Sequence, residues 1–534
     1  MQRRMRALRW LLLVGALPLS ACVTTEYARD PVKDQPSPES GSVVLSLTLN
    51  TGEVGQFDQM QLTRLQDDGA RQSGFDQRFV LSNVAPNLSR DTSLFVGALK
   101  PGTYRIKQLV DFGTNRYIEF KDSNVALVGS FTVETGKVTD LGRVVLTAAN
   151  FNVLLGRSAR ITSNEALIRQ YASDYAALYE RGPARTWDVA KNEKDIAELF
   201  ALVHPIGATG FSRMSDGQIV GGTRMGTLIR RDSTGRWHVA GRTGDLEAIT
   251  ATTVAGGGAY RIVAGGDMGT LFAADGEKTI AALNRGNLPG GSIFFINASP
   301  DAKTWVVGVQ QAKAAGLYWS STLDNGNWQA LVRDSIETSV WSGARGVWAW
   351  AYPGGVGYAS TASKTVSCYD YASAQWRKGG VPDQRRLIAL SASPEGILGV
   401  LTGTNAGFAG IFASTHVSRD CGQTWSETHS PYKVKAAPPI VLPSGTILEA
   451  GGVFGDPGIY ASKDGQAWTK TSDQGRLSDR LWLFPELLLA VNGGALGVET
   501  IESSTDEGAT WKRELSSIDY AVLRKQLGSK ASPQ

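Results

Sequence analysis

The chain has 534 residues, 42% hydrophobic and 19% charged, with 61 Gly and 20 Pro, which excludes a disordered or collagen-like polymer and suffices for two or three compact domains. Its formal charge of +4 is supplied by Arg3, Arg4, Arg6 and Arg9. Without them the charges balance, which excludes nucleic-acid binders and polybasic membrane-surface binders because both need a dominant positive field.

Residues 1–21 open with the basic MQRRMRALR and continue with an apolar stretch, Trp10 to Leu19, too short for the roughly 20 residues that cross a bilayer. This pattern predicts a secretory signal peptide. It ends in Leu19-Ser20-Ala21-Cys22, which resembles a bacterial lipobox. The resemblance implies lipidation (palmitate among the acyl chains) of Cys22, and Val23 in place of Asp implies an outer-membrane address, on the periplasmic side or the cell surface. Residues 22–41, with Pro31, Pro36 and Pro38 among charged and small residues, read as a polar tether without a core.

From 42 to 149 hydrophobic residues alternate with period two, as in VVLSLTL at 43–49, RFVLSNV at 78–84 and YRIKQLV at 104–110, which predicts half-buried strands. Leu99-Lys100-Pro101-Gly102-Thr103-Tyr104 resembles the L-x-P-G-x-Y segment of transthyretin-like and carboxypeptidase-regulatory-like domains. That resemblance implies a β-sandwich used as a spacer or adhesion module, with the Tyr entering the core. Over 150–206 the period becomes helical. Thr162-Ser163-Asn164-Glu165 fits a capping box before EALIRQYASDYAALYE, and KDIAELFALV repeats the pattern at 194–203, so two helices with Trp187 between them form a connector packed on the next domain.

Residues 207–516 repeat. Ser418, Asp420, Gly422 and Trp425 fit S-x-D-x-G-x-T-W, as do Ser504, Asp506, Gly508 and Trp511; Ser462, Asp464, Gly465 and Trp468 form a copy one residue shorter. Eroded copies end at Trp237 and Trp328, and the steps from Trp328 through Trp376, Trp425 and Trp468 to Trp511 are 48, 49, 43 and 43 residues. Gly221-Gly222 and Gly265-Gly266 align at the same period, and Asp275-Gly276 keeps the turn of a unit that has lost its Trp. Four short strands per unit, seven times, predict a seven-bladed β-propeller, with eight blades if Trp187 ends another unit. The motif resembles the Asp-box, or bacterial neuraminidase repeat. Residues 517–534 are left as a C-terminal tail.

Asp-boxes certify a fold and not a reaction. A sialidase resemblance also requires an arginine triad, a Tyr-Glu nucleophile and an Asp acid/base, and the nearest string to its F/Y-R-I-P motif, Tyr260-Arg261-Ile262-Val263, lacks the Pro and falls in the second unit. His204, His238, His416 and His429 have no ligand spacing, and no phosphate loop or nucleophile elbow occurs, so the sequence points to no catalytic residue, metal or cofactor. Cys368 and Cys421 lie in neighbouring units, either bridged or separately buried. Basic residues recur in the segments joining one unit to the next: Arg242, Arg285, Arg333, Arg385 with Arg386, Lys433 with Lys435, and Arg476 with Arg480. Either their acidic neighbours Asp245, Asp334, Asp383, Asp473 and Asp479 balance them as a solvated rim, or they face an anionic partner. Propellers resembling this one without the sialidase residues include photosystem II assembly factors and sortilin-type receptors, which bind polypeptides. The expectation is a non-catalytic envelope lipoprotein whose propeller binds a protein, with a glycan-active enzyme or a glycan-binding module as the alternative.

Overall fold

The computed structural model describes residues 25–516 apart from 35–37, 51–55, 66–76, 87, 90, 113–115, 122–127, 150–151, 191–196, 205, 256–260, 275–277, 312, 337–345, 404–412, 432–434, 436, 452–457, 474–479 and 494–498. Cys22, Lys433, Arg476, Asp479 and the C-terminal tail lie outside the described residues.

The N-terminal strands are β1 (Thr25–Tyr27), β2 (Gly41–Asn50), β3 (Gln59–Arg64), β4 (Arg78–Asn83), β5 (Thr92–Leu99), β6 (Gly102–Asp111), β7 (Arg116–Glu119), β8 (Phe131–Val133), β9 (Val138–Ala149) and β10 (Asn152–Arg157). All ten belong to one hydrogen-bonded sheet, ordered β10-β9-β2-β5-β4-β3-β6-β7, with β8 on β6 and β1 on β4. The sheet bends into a half-barrel, and Thr139 near the start of β9 donates its hydroxyl to the carbonyl of Thr132 in β8 at 3.1 Å. Where a sandwich has two separately bonded sheets, this sheet curls over its own core. The period-two pattern serves both designs, since each needs one apolar face per strand. Leu45, Leu47, Met60, Phe79, Phe95, Tyr104 and Phe131 fill that core, and the Tyr104 hydroxyl donates to Lys100 O at 2.7 Å.

Two features of the N-terminal half depart from the sequence reading. The tether is not wholly free, because Thr25, Glu26 and Tyr27 pair in parallel with Arg78, Phe79 and Val80. Strands β4 and β5 meet only at Ser82–Val96 and Asn83–Phe95, and the chain from 25 to 29 satisfies the backbone groups between them, with Ala28 N donating to Val80 O at 2.9 Å and Ala98 N to Arg29 O at 2.8 Å. Burying unpaired amides would cost more than ordering this short polar segment. The first connector helix is also shorter than its pattern. Helix α1 (Glu165–Tyr171) stops at Ala172 and continues as a 3-10 helix, Ser173–Arg181. The capping box does not form. The Asn164 amide instead donates to Asp140 Oδ1 and Gly142 O at 2.8 and 2.7 Å, a tertiary network that outbids the local cap. Helix α2 (Ala197–Val203) follows.

Seven sheets, each with four main strands and the first with a short fifth, then succeed one another in chain order, over 209–242, 249–282, 292–335, 347–380, 386–428, 440–472 and 481–516. They form a seven-bladed propeller, blades 1 to 7. Trp187 ends no blade; its ring meets Phe131 of the half-barrel edge-on at 5.8 Å and its Nε1 donates to Leu141 O at 2.9 Å. The extra residue 278–279 pair, Lys278 and Thr279, leaves blade 2 and adds to the outer strand of blade 1 beside Gly241 and Arg242. This is the unit that lacks its Trp, and Ile280 takes the place in the seam between blades 1 and 2.

Each repeat Trp wedges between its own blade and the one before. Trp237 joins the cluster of blades 7 and 1, Trp328 that of blades 2 and 3, Trp425 that of 4 and 5, and Trp511 that of 6 and 7. Trp425 donates to Gly380 O of blade 4 at 2.7 Å. The rings of Trp425, Trp468 and Trp511 are only half-buried, where the sequence reading has them enclosed between sheets; Trp328 of blade 3 is enclosed. The turns follow one chemistry. Asp420 Oδ1 and Asp506 Oδ1 each accept from the amide four residues on at 2.9 Å, Ser418 and Ser504 accept from Gly422 N and Gly508 N at 2.7 and 2.8 Å, and Gly422 and Gly508 hold φ of 74° and 89°, where glycine is favoured.

The second-strand glycines have a packing cause. A Cβ on Gly222 would strike Ile249, and one on Gly265 would strike Ile293, each on the inner strand of the following blade. Hydroxyls tie the same inner strands together, as where Ser212 donates to Thr252 O and Thr209 to Ile249 O, both at 2.9 Å.

Candidate interaction face of the propeller

The loops from second to third strand and from each blade to the next share one face, here the upper face; the Asp-bearing turns lie on the lower one. The N-terminal half-barrel covers the upper face of blades 1 and 2. Arg224 of blade 1 pairs with Asp91 at 2.5 Å with both side chains largely buried, Ser89 donates to Asp267 of blade 2, and Arg143 donates to Asp245 O at 2.9 Å. Tyr171 of α1 donates to Met268 O at 2.8 Å, while Val145, Ala201, Leu202, Met225 and Leu246 form an apolar seam beside them.

This seam concentrates charge. Burial draws the Arg143 guanidinium down to about 10 while Asp245, Asp267 and Glu247 hold it up, so it stays cationic at neutral pH. Burial, with the adjacent Asp267 and Asp245, pushes the Glu247 carboxyl up to about 8. Its Oε1 accepts from Met268 N at 2.7 Å and Thr270 N at 3.2 Å. None of these partners has a sequence signature, because each pair spans a hundred or more positions or falls in a loop with no repeat pattern.

The basic loop residues do not form a uniform ring. Arg242 is half-buried and donates to Leu202 O of α2 at 3.4 Å. Lys435 is buried on Glu449 at 3.1 Å, and Arg480 binds Glu499 at 2.8 Å and Ala208 O at 2.7 Å, where they fasten blades. Arg285 and Arg386 are half-buried, and Arg333 and Arg385 are exposed. Of the acidic neighbours, Asp473 pairs with Lys470 at 2.6 Å, Asp334 accepts from Ser360 at 2.5 Å, and Asp383 approaches His416 at 3.7 Å. Of these loop cations, Arg385 at the mouth of blade 5, which donates to Ser414 Oγ at 3.3 Å, and Arg333 near the top of blade 3 are the exposed ones, with half-buried Arg386 beside Arg385.

Next to Arg385 a cavity of about 410 Å³ opens between blades 4 and 5, lined by Val381, Asp383, His416, Trp425 and Glu427 among others. His416 is buried, which lowers its pKa and keeps the ring neutral at pH 7. Cys368 of blade 4 and Cys421 of blade 5 are joined by a disulfide with Cα atoms 6.2 Å apart.

The described inner strands carry two arginines, Arg213 and Arg386, at opposite ends of the central channel, and Arg261 lies on the lower side paired with Asp216 at 2.8 Å. No arginine triad converges in the funnel among the described residues.

No protein-family model matches the chain, and no curated protein matches it. Among solved structures it is similar to one described as YCF48 bound to D1 peptide, with 17% identity over 56% of this chain and 90% of that one and a TM-score of 0.38. It is also similar to a chain of a mitotic checkpoint complex (11% identity, 56% and 87% covered, TM-score 0.35) and to virginiamycin B lyase from Staphylococcus aureus (9%, 53% and 90%, 0.35). At such identities the likeness concerns the fold alone.

Proposed function

We propose that this chain is a lipid-anchored binding module of a bacterial envelope, held at the outer membrane through Cys22, whose propeller engages a protein partner on the upper face of blades 3 to 7. The observation that carries the binding part is the division of that face. Its blades 1 and 2 are occupied by the chain's own half-barrel through Arg224–Asp91, while the entrance of blade 5 presents exposed Arg385 beside Arg386. An exposed cationic sector of this kind favours an acidic segment and acts mainly on association rate.

The test has three arms. Cys22→Ala is expected to move the protein from the membrane to the soluble envelope fraction, and continued sedimentation with membranes after a salt wash overturns the anchor. Arg385→Glu with Arg386→Glu is expected to weaken partner capture and its salt dependence at unchanged melting temperature; normal capture at low and high salt overturns the site. Sialoside cleavage by the unaltered protein would replace the binding reading with the glycan-active one.

A further inference from the structure

Thr25, the first described residue, lies at the end of the half-barrel remote from the propeller. Near the other end of its strands Asn50 bonds the linker at His204 O and Ile206 N, and Ser89 and Asp91 before β5 bond the propeller, with Arg143, level with Ser46 in the middle of the sheet, as a further propeller contact. Thr25 is level with Arg78, the first residue of β4, and Lys100 in the turn after β5 reaches Glu26 at 3.4 Å. From there β1 runs inward as an interior strand, clamped on both sides by Val80 O and Ala98 N. The Asp30 turn after it is locked by Tyr175, whose hydroxyl donates to Asp30 Oδ2 at 2.6 Å. Pulling this segment out would open two ladders at once.

We infer that the half-barrel is a pedestal that stands its remote end on the lipid surface and turns the upper face of the propeller toward the bilayer. The inference rests on lipidation of Cys22. From Cys22 to Thr25 is three residues, which reach at most about 11 Å when fully extended, so the remote end of the sheet cannot leave the headgroups by more than that. Tyr27 at that end is 61% exposed, an amphipathic ring of the kind that favours the membrane–water interface. Strand β5 spans eight residues from Thr92 to Leu99, about 26 Å at the usual rise, and sets the scale of the gap beneath blades 3 to 7. A partner reaching Arg385 then enters between propeller and bilayer.

The lipidated full-length protein, its acylation verified by mass, is placed in phosphatidylethanolamine–phosphatidylglycerol vesicles carrying an acceptor lipid. With Cys22 acylated and Cys368–Cys421 bridged, a single added thiol takes the donor dye, either Ala362→Cys in an upper turn of blade 4 or Ala372→Cys in its lower turn. Both positions are exposed. Energy transfer to the bilayer is expected to be about twofold greater from 362 than from 372. Inserting about 20 Gly-Ser residues between Thr24 and Thr25, enough for an added reach of about 25 Å, is expected to bring the two signals together. Equal transfer in the unaltered, vesicle-bound protein, or a difference that survives the insertion, overturns the pedestal while leaving the anchor intact. An acylated protein that fails to float with vesicles overturns both.

Discussion

Arg231 of blade 1 and Glu514 of blade 7 meet in a two-pronged ion pair, Nε to Oε2 at 2.7 Å and Nη2 to Oε1 at 2.6 Å. Trp237 and Ser503 also donate to the Glu514 carboxylate, at 3.0 and 2.6 Å. Blade 1 is built on 209–242 and blade 7 on 481–516, each with its own four strands and none taken from the other, so the ring is not closed by a strand shared between the chain's two ends. Closure falls instead to this pair, to Glu499 with Gly207, Ala208 and Arg480, and to the apolar seam of Phe211, Phe484, Leu489 and Ile501.

Removing Arg231 leaves a buried carboxylate without its cation, so Arg231→Ala is expected to cost about 3 kcal/mol, with Glu514→Gln milder because the amide still accepts from Trp237. Burial opposes ionisation of Glu514, but the Arg231 and Ser503 hydrogen bonds outweigh it and hold the pKa below the usual glutamate value. A depressed folded-state pKa gives stability that is full above the unfolded value of about 4.3 and fades as pH falls below it. Thermal melts of the protein and of Glu514→Gln from pH 7 to pH 3 should therefore converge at the acid end.

The seam between half-barrel and propeller should respond to pH in the opposite sense. The Glu247 pKa is raised to about 8, so its contribution is whole below the unfolded value of about 4.3 and is lost progressively as pH rises through 8. Glu247→Gln keeps an oxygen for Met268 N and Thr270 N and removes the charge. The variant is expected to melt higher than the unaltered protein at pH 8 and to show little gain at pH 4; an equal difference at both would contradict the assignment.

The Trp wedges should matter less than enclosed core aromatics. Trp425→Ala and Trp511→Ala are each expected to cost about 2 kcal/mol, below the roughly 3–5 kcal/mol of a fully buried ring, since both remain half-exposed. Trp328, which is 5% exposed, should lie at the upper end of that range. Denaturant unfolding of the three variants orders them directly.

The Cys368–Cys421 bridge closes a loop with a sequence separation of 53, for which the chain-entropy relation gives about 4 kcal/mol. Reduction, or Cys368→Ser with Cys421→Ser, is expected to lower the melting temperature without changing the far-ultraviolet dichroism at 25 °C. An unchanged melt would show that the bridge constrains no state that matters to unfolding.

The sequence by itself determined the repeat. The Asp, Gly and Trp of each turn recur because they make local bonds, such as Asp506 to Thr510 and Ser504 to Gly508, and local chemistry leaves a local spacing. The glycine pairs at 221–222 and 265–266 were legible as a period, although for Gly222 and Gly265 the cause, the crossing of Ile249 and Ile293, lies in the neighbouring blade. Tertiary structure alone decided which loop cations are exposed. Arg385 and Lys435 are equivalent in sequence, yet Lys435 is buried on Glu449, because a salt bridge depends on what folds opposite and not on what precedes. It also decided that Thr25–Tyr27 is a strand: three residues are too few to show an alternation, and the gap between β4 and β5 that needs their backbone exists only once the sheet has formed.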